Sequence, residues 1–210
     1  HCPQLYHQRG IQRKRFDWLD RAVIATDATN LTITRSVSVP SERSDTEVLH
    51  EIGPDEKGLH LNVSARVDGD AKHPLGVTIT PGVMREPTQF EHLQSDVEVF
   101  ADLDSPIHVF DRGYLDYSRF CDLKERGTDF ICPLQADARA EVLEHIQDVE
   151  ITNEQGTRHL RDEQIELAET GQRFRRITFE DIDGKKLAYL TTLSSAYAPV
   201  EVMNIYTLRT

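Results

Sequence analysis

The sequence is short of lysine, of cysteine and of long apolar runs, and each shortage narrows what the chain can be. Of its 24 basic residues only six are lysines, at positions 14, 57, 72, 124, 185 and 186, and the rest are arginines. Against 36 Asp and Glu the net charge is -12. An acidic, lysine-poor surface repels phosphates at low salt, so it is poor for charge-driven nucleic-acid binding. It is also the pattern of a protein adapted to a salty cytoplasm, where the Debye length shrinks to ~3 Å at 1 M salt. We read the composition as halophilic. Three cysteines (Cys2, Cys121 and Cys132) form no CxxC pair and no disulfide framework. That speaks for a reducing cytosol and against structural zinc. No apolar run approaches the ~20 residues of a membrane span, and there is no signal-peptide pattern. The eleven glycines are scattered, without a phosphate loop, and no GxSxG elbow occurs. The nine histidines show no HxH or HExxH spacing. His60 and His73 flank a hairpin and could face each other, but ordinary surface or half-buried histidine is the better reading.

What is present is 210 residues with 38% hydrophobic and 29% charged side chains, a globular balance for one large domain or two small ones. The chain starts at His1 rather than Met, as a piece of a longer protein would. Residues 1–20 are an arm or linker with a basic knot, Arg9, Arg13, Lys14 and Arg15, expected to be a solvated face rather than a phosphate contact. From Ala22 the run AVIATDATNLTIT alternates and is β-branched, which reads as one strand or a bent pair. LHLNVSARV (59–67) and LGVTIT (75–80) read as a hairpin about the Asp68-Gly69 signal. Residues 86–100 read as a helix with Phe90, Leu93, Val97 and Phe100 on one face. PIHVFDRG (106–113) is a short strand. Asp116 caps a helix that buries Phe120 and Leu123, carries Cys121 into the core and stops at Gly127. DFICPL (129–134) is the next strand.

Three meandering strands followed by alternating helices and strands indicate an α/β mixed sheet flanked by helices. The core spans 21–134. Residues 135–197 break the rhythm and read as a β-rich insertion. They include a hairpin over 173–193, expected to turn at Asp183-Gly184. Arg173, Arg175, Lys185 and Lys186 lie on that hairpin, either as solvated charge or reaching toward nucleic acid. Residues 198–210 open a final helix, with Pro199 and Glu201 in its first turn and Val202, Ile205 and Leu208 at helical spacing.

Two acids stand out. Asp27 lies inside the first strand, and Asp111 ends the fourth. An acid in or at the end of an apolar strand is costly to bury, so it has a partner or a metal. Taken singly, each could serve a turn or a salt bridge, Asp111 to Arg112 or another Arg. As a pair on neighbouring strands they suggest a divalent site of hard oxygen ligands, Mg²⁺ or Mn²⁺.

ATDATNLTI, KGLHLNVSARVDGDAKHPLGVTITPG and IHVFDRGYLDYSRFCDLKERGTDFICPL together resemble the DDE transposases of insertion sequences. Within these they look like the insertion-sequence-four family, in a halophilic archaeal branch. Asp27 in DAT fits the family's first catalytic acid, and Asp111 in DRGY fits the second. Tyr206 and Arg209 fit the first two letters of Y-x-x-R-x-x-x-E. The Glu of that motif would fall at the fourth residue after Arg209, beyond Thr210. Where many relatives carry an Arg near the end of the fifth strand, this chain has Cys132-Pro133. The resemblance covers about residues 20–210.

It implies an RNase H-like fold in which Asp27 and Asp111 converge and, with the Glu, hold two divalent ions ~3.5–4 Å apart. It implies metal-dependent cleavage and strand transfer of double-stranded DNA during transposition. Arg112, Tyr206 and Arg209 would touch DNA phosphate, a homodimer would hold the element ends, and the protein would work in the cytoplasm at the nucleoid. The 210 residues alone, short of the third acid, are then expected not to cleave. Two other readings stand beside this one. One is a nuclease of the same fold that does not transpose. The other is a truncated, inactive remnant that binds DNA or partner subunits without cutting.

Overall fold

The computed structural model describes residues 19–34, 50–53, 56–68, 71–81, 105–135, 138–153, 156–180 and 186–209. The basic knot at 9–15 and the expected helix at 86–100 lie outside the described residues. Ten strands form one sheet: β1 (Val23–Thr34), β2 (His50–Gly53), β3 (Glu56–Asp68), β4 (Ala71–Pro81), β5 (Ile107–Phe110), β6 (Asp129–Pro133), β7 (Ala140–Asn153), β8 (Gly156–Leu167), β9 (Arg173–Glu180) and β10 (Lys186–Thr191). The order is β2-β3-β1-β5-β6-β10-β9-β8-β7, with β4 also paired to β3. β5 runs parallel to β1 and to β6, and the other pairings are antiparallel. Among the described residues two α-helices, α1 (Tyr117–Glu125) and α2 (Pro199–Thr207), accompany the sheet.

The alternating run from Val23 forms one continuous strand rather than a bent pair. Strand alternation sends odd and even residues to opposite faces, and the two faces carry separate cores. On one, Phe110, Tyr114, Phe120, Phe130 and Phe174 cluster with Leu123 of α1. The Phe120 and Phe130 rings stack there with centroids 4.3 Å apart. On the other, Val23, Ala25, Ile107, Val109 and Ile131 meet Val202 and Ile205 of α2. One helix therefore covers each face.

Local chemistry explains the ends of α1. The Asp116 carboxylate accepts from the Arg119 N–H at 3.2 Å, satisfying one donor of the first turn. Gly127 closes the helix with φ of +69°, a conformation that side chains with a Cβ rarely adopt. Cys121 is half-buried at the margin of the core. Cys132, on β6, is the fully buried thiol of the two.

The 59–80 hairpin forms, with Asp68 opposite Ala71; residues 69 and 70 lie outside the described residues. His60 and His73 do not face each other: His60 is registered with Thr80 and His73 with Arg66. Residues 140–191 form four antiparallel strands, β7 to β10, that continue the same sheet through the β10–β6 ladder. The 173–193 hairpin forms with Glu180 opposite Lys186. The turn itself, 181–185, lies outside the described residues.

Candidate active site

β1 and β5 bring the two acids together by register. Val23 lies opposite Ile107, Ala25 opposite Val109, and Thr26 opposite Phe110. The next step along each strand is Asp27 and Asp111. Alternation puts both on the face of Ala25 and Val109, the face that α2 covers. Neighbouring strands are ~4.8 Å apart, so two carboxylates meet where the parallel ladder ends and solvent begins. Their side chains are 61% and 43% exposed.

The α2 side supplies a cation. The Arg209 guanidinium sits between the acids, Nη1 at 3.3 Å from Asp27 Oδ1 and Nη2 at 3.5 Å from Asp111 Oδ1. It packs over the Tyr206 ring, 5.6 Å from the centroid, and Tyr206 leans on Tyr189 at 4.7 Å. The helix starts at Pro199, which fits the first turn, and Glu201 reaches back to accept from the Ala198 N–H at 2.7 Å. Val202 and Ile205 are buried, which turns the Tyr206–Arg209 edge toward the acids. Lys72 Nζ, from β4, donates to the Arg209 carbonyl at 2.5 Å and ties down the end of the helix.

Each acid also serves its own backbone. Asp27 Oδ1 accepts from the Ala28 N–H at 2.9 Å, and Asp111 Oδ1 accepts from the Arg112 N–H at 2.7 Å. The latter is an Asx-type cap on the 3₁₀ turn Arg112–Tyr114. The turn and salt-bridge roles thus coexist with convergence, although the salt-bridge partner is Arg209 rather than Arg112. The Arg112 side chain is exposed beside the site.

Burial pushes the Tyr206 phenol above its usual pKa, with Arg209 opposing. Burial alone would lower Arg209, but Tyr206, Asp111 and Asp27 outweigh it and raise its pKa. The guanidinium is therefore a fixed positive charge. Below the acids, the Cys132 thiol reaches the Asp111 carbonyl at 3.5 Å, and burial followed by Asp111 pushes its pKa well up. It is an inert packing thiol.

The structure thus gathers Asp27, Asp111, Tyr206 and Arg209, with Arg112 at the rim. It removes Arg175 from the list of residues reaching toward nucleic acid. Arg175 is 4% exposed and bound to Asp162, also buried. Arg173 and Lys186 are exposed and pair with Glu166 and Glu180. Lys185 lies outside the described residues. Tyr189 and the Asp162–Arg175 pair escaped sequence reasoning. The available signal was parity: Arg175 shares a strand face with Ile177.

The model of the transposase DDE domain family matches residues 18–210. The chain belongs to that family. A cryo-EM structure of piggyBac transposase, a synaptic complex with hairpin DNA, superposes with a TM-score of 0.52 at 9% identity. The superposition covers 90% of this chain and 38% of that one, so the chain spans little more than a third of that transposase. No curated protein matches by sequence. The α/β mixed sheet with its β-rich continuation before the last helix is the RNase H-like nuclease fold of transposases. Among the described residues, no helix is long and apolar enough to cross a membrane.

Proposed function

We propose that this chain is the catalytic domain of an insertion-sequence transposase of the insertion-sequence-four type. Asp27 and Asp111 are its first two catalytic acids and metal ligands, and Arg112, Tyr206 and Arg209 contact DNA phosphate. The observation that carries the reading is the convergence of both carboxylates on one guanidinium at an exposed sheet end. Among the described residues neither Oδ2 atom is engaged, so each acid keeps an oxygen for a ligand. Two half-exposed carboxylates fit a hard divalent cation, Mg²⁺ or Mn²⁺. When bound, such an ion supplies Lewis acidity to a phosphodiester and to the water or 3′-hydroxyl that attacks it.

The chain's own residues do the rest. The parallel register of β1 and β5 fixes the spacing of the carboxylates, and the Asx cap holds the Asp111 rotamer. Arg209 offers a bidentate fork suited to a non-bridging phosphate pair. Tyr206, stacked on Tyr189, fixes the plane from which the fork works. When phosphate arrives, the guanidinium exchanges carboxylate partners for phosphate oxygens and frees the acids. No protein nucleophile is required.

Among the described residues, no three His, Cys, Asp or Glu gather as a metal-binding group. A two-ion centre, four positive charges ~4 Å apart, needs a further anionic ligand. We therefore expect these 210 residues to bind DNA without cutting it, the reading of a non-cleaving remnant when the chain stands alone. The partition into arm (1–20), core (21–134), insertion (135–197) and final helix (198–210) belongs to the proposal. So do a homodimer on element-end DNA, a cytoplasmic, nucleoid-associated location and a halophilic host.

The test expresses the chain alone and with any coding sequence that follows it, and assays cleavage and strand transfer of paired element ends in Mg²⁺ at molar KCl. Cleavage confined to the longer chain and abolished by Asp27→Asn or Asp111→Asn supports the reading. Robust cleavage by the 210 residues overturns the ligand count, and activity in either Asn variant overturns the site. Cleavage without strand transfer identifies the non-transposing nuclease. A melting temperature that falls steadily from low to molar KCl overturns the halophilic reading.

A further inference from the structure

Arg175 lies on β9, distant in sequence from the acids, yet its contacts lead to them. Its guanidinium has five N–H donors, and all five are used. Nε donates to Asp162 Oδ1 at 2.8 Å, and Nη2 to Asp162 Oδ2 at 2.7 Å. Nη2 also donates to the Tyr197 carbonyl at 2.8 Å. Nη1 donates to the Ser194 carbonyl at 2.6 Å and to the Leu193 carbonyl at 3.3 Å. The carboxylate fork fixes the plane of the guanidinium, and the remaining three donors fasten the connection between β10 and α2.

That connection, residues 192–198, belongs to no strand or helix. It delivers the chain to Pro199, where α2 begins. Ala198, at the helix start, has no side chain with which to cap it. What holds 193, 194 and 197 therefore sets the start of α2, while the buried Val202 and Ile205 seat its body on the sheet. From Pro199 to Arg209 the helix and its last turn extend ~15 Å. A tilt of about 10° at the base would move Arg209 by about 2.5 Å. That is enough to break its contacts of 3.3 and 3.5 Å with Asp27 and Asp111.

We infer that Arg175 is a positioning residue for the Asp27–Asp111 site, aiming α2 so that Tyr206 and Arg209 meet the two acids. The inference rests on the reading of that site given above. A buried ion pair kept for stability alone could be replaced by apolar side chains at little cost. Three carbonyl anchors could not. Lysine, with three donors and no fork, cannot replace them either.

The experiment uses Asp162→Leu/Arg175→Met, Arg175→Lys, and Arg209→Gln as reference, all in the whole chain. Two quantities are read: hydrogen exchange over residues 193–205, and Mn²⁺ affinity by titration. The double variant should stay folded but melt below the parent, because three loop carbonyls lose their donor. Exchange over 193–205 should quicken at least tenfold, with β5 and β6 unchanged. Its Mn²⁺ affinity should move at least threefold in the direction given by Arg209→Gln, and adding Arg209→Gln should move it no further. Arg175→Lys should fall between. A folded double variant or Lys variant with parental exchange over 193–205 and parental Mn²⁺ affinity overturns the inference. If the double variant does not fold, Arg175→Lys decides on the same two readouts. If the parent and Arg209→Gln both ignore Mn²⁺, the metal reading has failed, and the exchange data decide the role of Arg175 separately.

Discussion

Two Asp–Arg clusters on the α2 face of one sheet have been put to opposite uses. At Asp162–Arg175 both side chains are nearly inaccessible, at 2% and 4%, and every guanidinium donor has a protein acceptor. At Asp27–Arg209–Asp111 the carboxylates are 61% and 43% exposed, the contacts are longer, and the Arg209 Nε is buried without a partner among the described residues. Chemically the groups are the same; solvent and saturation differ. A saturated, dry pair is costly to break and therefore rigid, whereas a wet, unsaturated one is weak and exchangeable. Exchange is what a site must offer when a cation or phosphate arrives. The predictions below test this contrast.

The largest expected effect is Asp162→Ala. It leaves Arg175 charged and buried without its carboxylate, and breaking a buried pair from one side costs about 3–5 kcal/mol. Urea unfolding at neutral pH should show that loss. A loss under about 1 kcal/mol would make this cluster no different from an exposed pair and would erase the contrast.

Next is pH. His108 on β5 is buried, and that burial pushes its pKa down to about 4 from an ordinary 6.5. The folded protein holds His108 neutral, while the unfolded chain takes up the proton below about 6.5. Stability from this residue is therefore full above pH 6.5 and is lost as pH falls toward 4. The loss is about 3 kcal/mol in total, at about 1.4 kcal/mol per pH unit. Unfolding free energies at pH 7.5 and pH 5 should show it, and His108→Leu should flatten the slope between them. An equal slope in the variant would assign the acid sensitivity to other groups.

Much of the site was legible in the sequence because its logic is local. Asp27 and Asp111 interrupt apolar strands, and an interruption of period-2 hydrophobicity is visible without a structure. The cap at Asp116, the stop at Gly127 and the start at Pro199 rest on one or two side chains each. The pin at Arg175 was not legible, because its meaning depends on which residues lie across the sheet and which loop crosses above it. Arg173 and Arg175, with Lys185 and Lys186, read as solvated charge or as a nucleic-acid contact. Alternation instead sends Arg175 inward beside Ile177, while Arg173 remains exposed at the strand end. The pairing of the 173–193 hairpin, Glu180 opposite Lys186, was not legible for a related reason. A turn dipeptide signals that a turn exists, but strand pairing fixes the alignment. His60 and His73 are not registered across the hairpin, in line with the reading as ordinary histidines: flanking a hairpin in sequence is not the same as being paired across it.

Asp111→Asn should change stability by less than about 1 kcal/mol, since Asn keeps an oxygen for the Arg112 N–H and loses only a half-exposed ion pair. Mn²⁺ affinity should nevertheless fall at least tenfold, because half of the anionic ligand set is gone. An unchanged Mn²⁺ titration would remove Asp111 from the ligand set and leave it a turn residue.

Arg209→Gln should have the smallest effect on stability, again below about 1 kcal/mol, yet it makes the sharpest test of exchangeability. The guanidinium is a fixed positive charge 3.3 and 3.5 Å from the two carboxylates. A divalent cation approaching those oxygens is repelled by it, and the carboxylates must give up one partner to accept the other. Removing the charge should tighten Mn²⁺ several-fold while weakening binding of DNA, whose phosphates lose their fork. The two changes have opposite signs, so a general loss of structure cannot mimic them. If Mn²⁺ affinity falls together with DNA affinity, Arg209 organises the carboxylates instead of competing for them. The wet cluster would then be a rigid one after all, built with fewer bonds than Asp162–Arg175 but serving the same purpose.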